Sequence, residues 1–159
     1  AARSLSGLSF KGGIIGPNSL RPLPQYAQMQ TLIFNDSSLD DAQLKVVESI
    51  STLRQLELAR TRATPAALDT IARLTGLQHL NLAGMQMRVT ELAKLTPLKG
   101  LQTLNLENAP LADDAVAVLG NFKDLKTLTI RGTQITAVLT PTIATGVKSV
   151  MTSKGTFIR

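Results

Sequence analysis

Apolar residues recur along this chain with a period that neither a lone helix nor a hairpin would produce. The blocks LQHLNLAG (77–84) and LQTLNLEN (101–108) are near copies 24 positions apart. The same step backwards reaches LRQLELAR (53–60), MQTLIFND (29–36) and LSGLSFKG (5–12), and forwards it reaches LKTLTIRG (125–132). Six starts, at 5, 29, 53, 77, 101 and 125, share this spacing without insertion, and a damaged echo follows near 147. Within the blocks, one apolar column is Leu5, Met29, Leu53, Leu77, Leu101 and Leu125. A second is Leu8, Leu32, Leu56, Leu80, Leu104 and Leu128, and a third is Phe10, Phe34, Leu58, Leu82, Leu106 and Ile130. The second and third are two residues apart, which is the spacing of a strand. A column Ile15, Leu39, Ala63, Met87, Leu111, Ile135 follows. Three more then begin at Leu20, Leu23 and Tyr26, and their steps of three suit one inward face of a short helix or 3₁₀ turn. Only Thr140 and Gly146, both in the last repeat, interrupt these last columns.

Each repeat therefore reads as a strand, a turn, a short helical return and a second turn. One coil cannot bury its own apolar stripe, but stacked coils bury all of them in a continuous core. Successive strands pair in parallel about 4.8 Å apart, so six coils make a stack roughly 29 Å long. Parallel pairing requires the crossover that the helical return supplies.

This pattern resembles the leucine-rich repeat family. Its 24-residue form is similar to bacterial repeats of the type L-x-x-L-x-L-x-x-T-x-[VI]-T-D-x-x-L, and LKTLTIRGTQIT (125–136) is the best match. The resemblance covers residues 5 to about 139. It implies an α/β fold: a right-handed leucine-rich repeat solenoid, with a parallel β-sheet on the concave side and short helices on the convex side. It also implies that the strand face is the surface offered to partners. The Asn of the family's ladder position is missing, because that column reads Gly13, Ser37, Thr61, Met85, Ala109, Thr133. Hydroxyls can replace an Asn there, but Met85 and Ala109 cannot, so the middle turns must satisfy their amides otherwise.

The column after the strand is Gly12, Asp36, Arg60, Gly84, Asn108, Gly132. Gly, Asn and Asp tolerate positive φ and Arg does not readily, so either the coil at Arg60 turns differently or Arg60 has a functional reason to be there. Asp40 and Thr64 are expected helix N-caps, with Pro65 in the first helical position. Asp113 and Asp114 are expected to begin another return and to cap it. The chain reads as one leucine-rich repeat domain over 1–159, with a shortened terminal coil at 147–159. There VKSVMT (147–152) brings a strand two residues early and SKGTFIR supplies a closing strand or a path onward. The first repeat begins at residue 5 and leaves little to cover it, so a neighbouring coil on the N-terminal side is expected.

Composition adds exclusions. No run of 18 apolar residues exists, so no membrane span is predicted. There is no Cys and a single His, and no nucleophile elbow, phosphate loop or dinucleotide fingerprint. A Ser–His–acid triad would have to use His79, whose column neighbours are Gln55 and Thr103, neither of them a matched nucleophile. No catalytic residue, no metal site and no cofactor are assigned, and an enzyme is not expected.

A recognition surface remains. Positions 3, 5 and 7 of each block are expected to point outward. They are Gly7, Thr31, Gln55, His79, Thr103, Thr127; then Ser9, Ile33, Glu57, Asn81, Asn105, Thr129; then Lys11, Asn35, Ala59, Ala83, Glu107, Arg131. The candidate partner-binding residues are Ile33, Glu57, Arg60, Arg62, His79, Asn81, Asn105, Glu107 and Arg131, with Arg88 extending a basic rim. Each has a plainer reading beside it. Glu107 and Arg131 form a surface ion pair or a ligand clamp. Asn81 and Asn105 form a mutual ladder or partner contacts. His79 is an exposed sheet residue or a contact, and the rim is a solvated edge or a basic patch.

The net charge of +6 raises nucleic acid or another anionic polymer as a partner. The cations are scattered, however, and the sheet carries no aromatic for base stacking. The expectation is a non-catalytic module for a protein partner, which ranks well above nucleic acid. Its alternatives are the recognition or spacer part of a larger secreted bacterial effector, and a basic module for an anionic polymer. An exported bacterial protein is the expected setting.

Overall fold

Strands form where the motif columns predict them. The computed structural model describes residues 4–136 and 147–153, and the backbone of 155–158. Seven strands run parallel in one sheet whose order follows the chain: β1 (Gly7–Ser9), β2 (Thr31–Ile33), β3 (Gln55–Glu57), β4 (His79–Asn81), β5 (Thr103–Asn105), β6 (Thr127–Thr129) and β7 (Ser149–Thr152). The second apolar column pairs in strict register, Leu8 with Leu32, Leu32 with Leu56, Leu56 with Leu80, Leu80 with Leu104 and Leu104 with Leu128. The terminal coil is short by two residues, as its early strand predicts, because Leu128 pairs with Val150. The sheet then departs from the all-parallel expectation. β8 (Gly155–Ile158) turns back on β7 as an antiparallel hairpin and closes that edge, which gives the ladder of β7 a partner on both sides.

The returns are short because caps and prolines divide them. Asp40 Oδ1 accepts from Gln43 N at 2.8 Å and Gln43 Oε1 accepts from Asp40 N at 3.1 Å. This reciprocal capping box starts α1 (Asp41–Leu44). Thr64 Oγ1 accepts from Ala66 N at 3.2 Å, ahead of a 3₁₀ turn at Pro65–Ala67 that leads into α2 (Leu68–Ile71). α3 (Val89–Leu92) and α4 (Ala115–Leu119) occupy the next two coils. The first coil has only a 3₁₀ turn, Leu23–Gln25, in a stretch where Pro17, Pro22 and Pro24 remove backbone donors. The expected capping by Asp113 and Asp114 takes another form. Asp114 makes no side-chain cap, while Asp113 reaches into the next coil and accepts from Thr136 N at 2.6 Å and Thr136 Oγ1 at 2.7 Å. Asp41 grips Thr64 in the same way, at 2.7 and 2.6 Å. These carboxylates tie coil to coil.

Leu32, Leu56, Leu104 and Leu128 are fully buried, and the three helical columns close the other side of the same core. Thr140 and Gly146, the two exceptions to those columns, lie outside the described residues. At the N-terminal end the burial fails: Leu5 is 38% and Ile14 95% exposed, while their counterparts one coil on, Met29 and Ser38, are buried and half-buried. Phe10 stacks on Phe34 with ring centroids 5.6 Å apart, which joins this coil to the next.

The coil at Arg60 does not turn differently. Arg60 takes φ 53°, in line with Gly12, Asp36, Gly84, Asn108 and Gly132, all of which are positive. The stack imposes the left-handed conformation, and Arg60 bears the steric cost. The ladder column also resolves. Thr61 Oγ1 and Thr133 Oγ1 each accept from the amide two residues on, at Ala63 and Ile135, both at 3.3 Å. Where Met85 and Ala109 stand instead, Met87 N and Leu111 N donate to the carbonyls of Met85 and Ala109, at 3.1 and 2.8 Å. A backbone three-residue turn replaces the missing hydroxyl.

Candidate functional site

Strand alternation places the outward side chains of β3 to β7 on the concave side, in columns about 4.8 Å apart. They line a shallow depression of about 300 Å³ bounded by Gln55, Glu57, His79, Asn81, Thr103, Asn105, Thr127, Thr129 and Met151. Four of the candidate residues meet here: Glu57, His79, Asn81 and Asn105. Ile33 pairs with Glu57 in the register and is half-buried beside it.

Glu57 is the most constrained of these. Its Oε1 accepts from Gln55 Nε2 and its Oε2 from Asn35 Nδ2, both at 2.6 Å. Asn35 is itself 8% exposed, and its Oδ1 accepts from Ala59 N at 2.9 Å. Asn81 and Asn105 form no mutual ladder. Each folds back on its own strand, Asn81 Oδ1 accepting from Ala83 N at 3.0 Å and Asn105 Oδ1 from Glu107 N at 2.9 Å. Three successive coils thus satisfy the same amide, after the strand, with an Asn side chain. The His79 ring is half-buried between Gln55 and Thr103 and has no hydrogen bond to a described hydroxyl or carboxylate.

Position 7 was expected to face outward throughout. It does so only at Lys11, Glu107 and Arg131, half-buried at Glu107, whereas Asn35, Ala59 and Ala83 are buried. The chain bends into the turn there and carries these three residues under the rim. The small side chains of Ala59 and Ala83 were the signal of this. Sequence reasoning also missed Asn35 as the residue that holds Glu57, and it left Thr103, Thr127, Thr129 and Met151 out of the site.

The loop edge forms a second recess, about 230 Å³, lined by Arg60, Arg62, Thr61, Thr64, Pro65, Gly84 and Gln86 among others. Its charge is partly cancelled. Arg60 Nε and Nη2 grip Asp36 Oδ1 and Oδ2 at 2.6 and 3.0 Å, a bidentate pair. That hydrogen bonding holds the Asp36 carboxyl below its ordinary value and raises the Arg60 guanidinium. Both groups are exposed, so the pair orients more than it stabilises. Arg62 is exposed and its backbone amide donates to Leu39 O at 2.9 Å. The backbone of Arg88 is held at the start of α3, where its amide donates to Glu91 Oε2 at 2.6 Å. The ion pair expected between Glu107 and Arg131 does not form, because the described ion pairs are Arg60–Asp36, Arg73–Glu48 and Lys94–Asp69.

Among the described residues no three His, Cys, Asp or Glu side chains converge as a metal site. No described helix is long and apolar enough to cross a membrane. The surface presents fixed amides, hydroxyls and one held carboxylate on the sheet, with a mixed-charge rim above it.

No family model matches the chain, and no curated protein matches it. Solved structures do. Internalin C2 from Listeria monocytogenes superposes with a TM-score of 0.72 at 22% identity, over 93% of this chain and 71% of that one. An internalin (inlF) from the same species superposes with a TM-score of 0.62 at 17% identity, over 94% of this chain and 47% of that one, so the chain spans about half of its length. The register, the coil order and these superpositions agree: the chain folds as a leucine-rich repeat solenoid, similar to the internalins.

Proposed function

We propose that this chain is a single, non-catalytic recognition domain that holds a protein partner against the concave strand face and the loop edge beside it. The observation that carries this reading is the contrast between the two sides of the strands. Every inward residue from β2 to β6 is buried, while the outward rows of β3 to β5 are polar, and Gln55, Glu57, Asn81 and Asn105 among them are already held by hydrogen bonds. Fixed side chains lose little freedom when a partner arrives, which favours binding. The fold likeness to two Listeria proteins supports a bacterial, exported setting, either alone or as the recognition part of a larger secreted effector.

Replacing Glu57, Asn81 and Asn105 together by Ala is expected to abolish partner capture while circular dichroism and unfolding stay two-state. If capture survives that change but is lost when Arg60, Arg62 and Arg88 become Glu, the loop edge alone is the site. A second reading follows from the net charge of +6 and from Lys99, Lys123, Lys126 and Lys148, exposed and outside the ion pairs, on the turns that lead into the strands. An anionic polymer bound there would lose affinity log-linearly and steeply with salt. A protein held by the nearly neutral strand face would show only a shallow salt dependence.

A further inference from the structure

We infer that the concave depression takes a guanidinium group from its partner, an arginine side chain seated on Glu57. This rests on the strand-face reading above and adds the chemistry of the contact. Across the outward rows of β1 to β6 at positions 3 and 5, Glu57 is the one formally charged residue and His79 the one other titratable residue. The face is thus locally anionic on a chain whose net charge is +6. No described cation stands within ion-pair distance of Glu57, and Arg60, close by on the rim, is already gripped by Asp36.

The geometry sets what Glu57 can accept. A carboxylate offers about four lone-pair sites, two on each oxygen. Asn35 takes one on Oε2 and Gln55 takes one on Oε1, so one site on each oxygen remains. One open site on each of two oxygens suits the planar fork of a guanidinium better than the point charge of an ammonium. The carboxylate is also held in place. Asn35 cannot flip its amide, because its Oδ1 must face the buried Ala59 N–H, and this keeps its Nδ2 on Glu57. Glu57 is half-buried at the end of a depression of about 300 Å³ that has room for the arginine stem over His79 and Asn81. Partial desolvation and prior orientation both strengthen a charge-assisted bond.

The test titrates the whole chain with N-acetyl-arginine methylamide and with the neutral citrulline counterpart, following backbone amides by heteronuclear NMR. Saturable shifts centred on residues 55, 57, 79 and 81 are expected for the arginine compound. Binding about ten-fold or more weaker is expected for citrulline and for Glu57→Gln, which keeps the side-chain shape and removes the charge. Equal affinity for citrulline, unchanged binding by Glu57→Gln, or shifts centred on Glu107 would overturn the inference. Should the arginine compound fail while the strand-face triple variant still loses its protein partner, the guanidinium assignment falls and the strand-face reading stands.

Discussion

Leu104→Ala tests the register at its centre. Leu104 is fully buried on β5, paired with Leu80 on one side and Leu128 on the other. The change removes three carbon atoms from the core, worth about 2.4 kcal/mol of transfer at about 0.8 kcal/mol per methylene. A cavity term adds to this, because the parallel ladder on both sides keeps the backbone from closing the void, and large-to-small changes of this kind cost about 2–5 kcal/mol in all. A value of about 3–4 kcal/mol is therefore expected from urea unfolding followed by circular dichroism. Lys45→Ala is the control: Lys45 is exposed on the convex side and outside the ion pairs, so it should change stability by less than about 0.5 kcal/mol. The effect of Leu104→Ala should appear in the midpoint with m unchanged. Equal tolerance of the two substitutions would refute the stacking of this column in the core.

Asn35→Ala is expected to cost about 1–3 kcal/mol in the same assay, because it leaves the buried Ala59 amide without an acceptor, and to release Glu57 from one of its two donors. Asp36→Asn should flatten the acid limb of the stability curve. The folded carboxyl lies below its ordinary value, so its contribution is present above about pH 4 and is lost as pH falls through the folded value; an acid limb unchanged by the substitution would remove Arg60 as its cause. Hydrogen exchange should be faster in residues 4–28 than in the coils around β4 and β5, given the exposed Leu5 and Ile14. Uniform protection from residue 5 onward in a monomer would contradict this.

The fold could be read from the sequence to a depth that few chains permit, because repetition supplies its own controls. A single L-x-x-L-x-L block is ambiguous, but six in one register fix which side chains stack on which. Even the slip in the last coil was visible as an early VKSVMT. What the columns could not convey was the behaviour of a residue that differs from its column. Arg60 was read as a possible change of turn because propensity speaks against Arg at positive φ. The stack overrode that preference, since neighbours above and below with φ 63° and 85° leave the chain no other path. β8 carries no repeat signal, so its antiparallel return was only one of two paths open to SKGTFIR.

The site was less legible, for a related reason. Strand alternation names the residues that face outward, yet alternation ends where the turn begins, and position 7 lies on that boundary. Reading it as outward put Asn35 among the exposed residues and paired Glu107 with Arg131 because they share a column. In the structure the chain curls there, so Asn35 goes inside and spends one end of its amide on Ala59 and the other on Glu57. Column logic predicts contacts between equivalent positions, as in the Asn35–Ala59 bond, whereas the Asn35–Glu57 bond joins position 7 of one coil to position 5 of the next. Such diagonal bonds depend on side-chain length and on the pitch of the turn, neither of which the period encodes. They also decide the chemistry of the face, because they turn Glu57 from a mobile surface acid into a fixed acceptor with one free site on each oxygen.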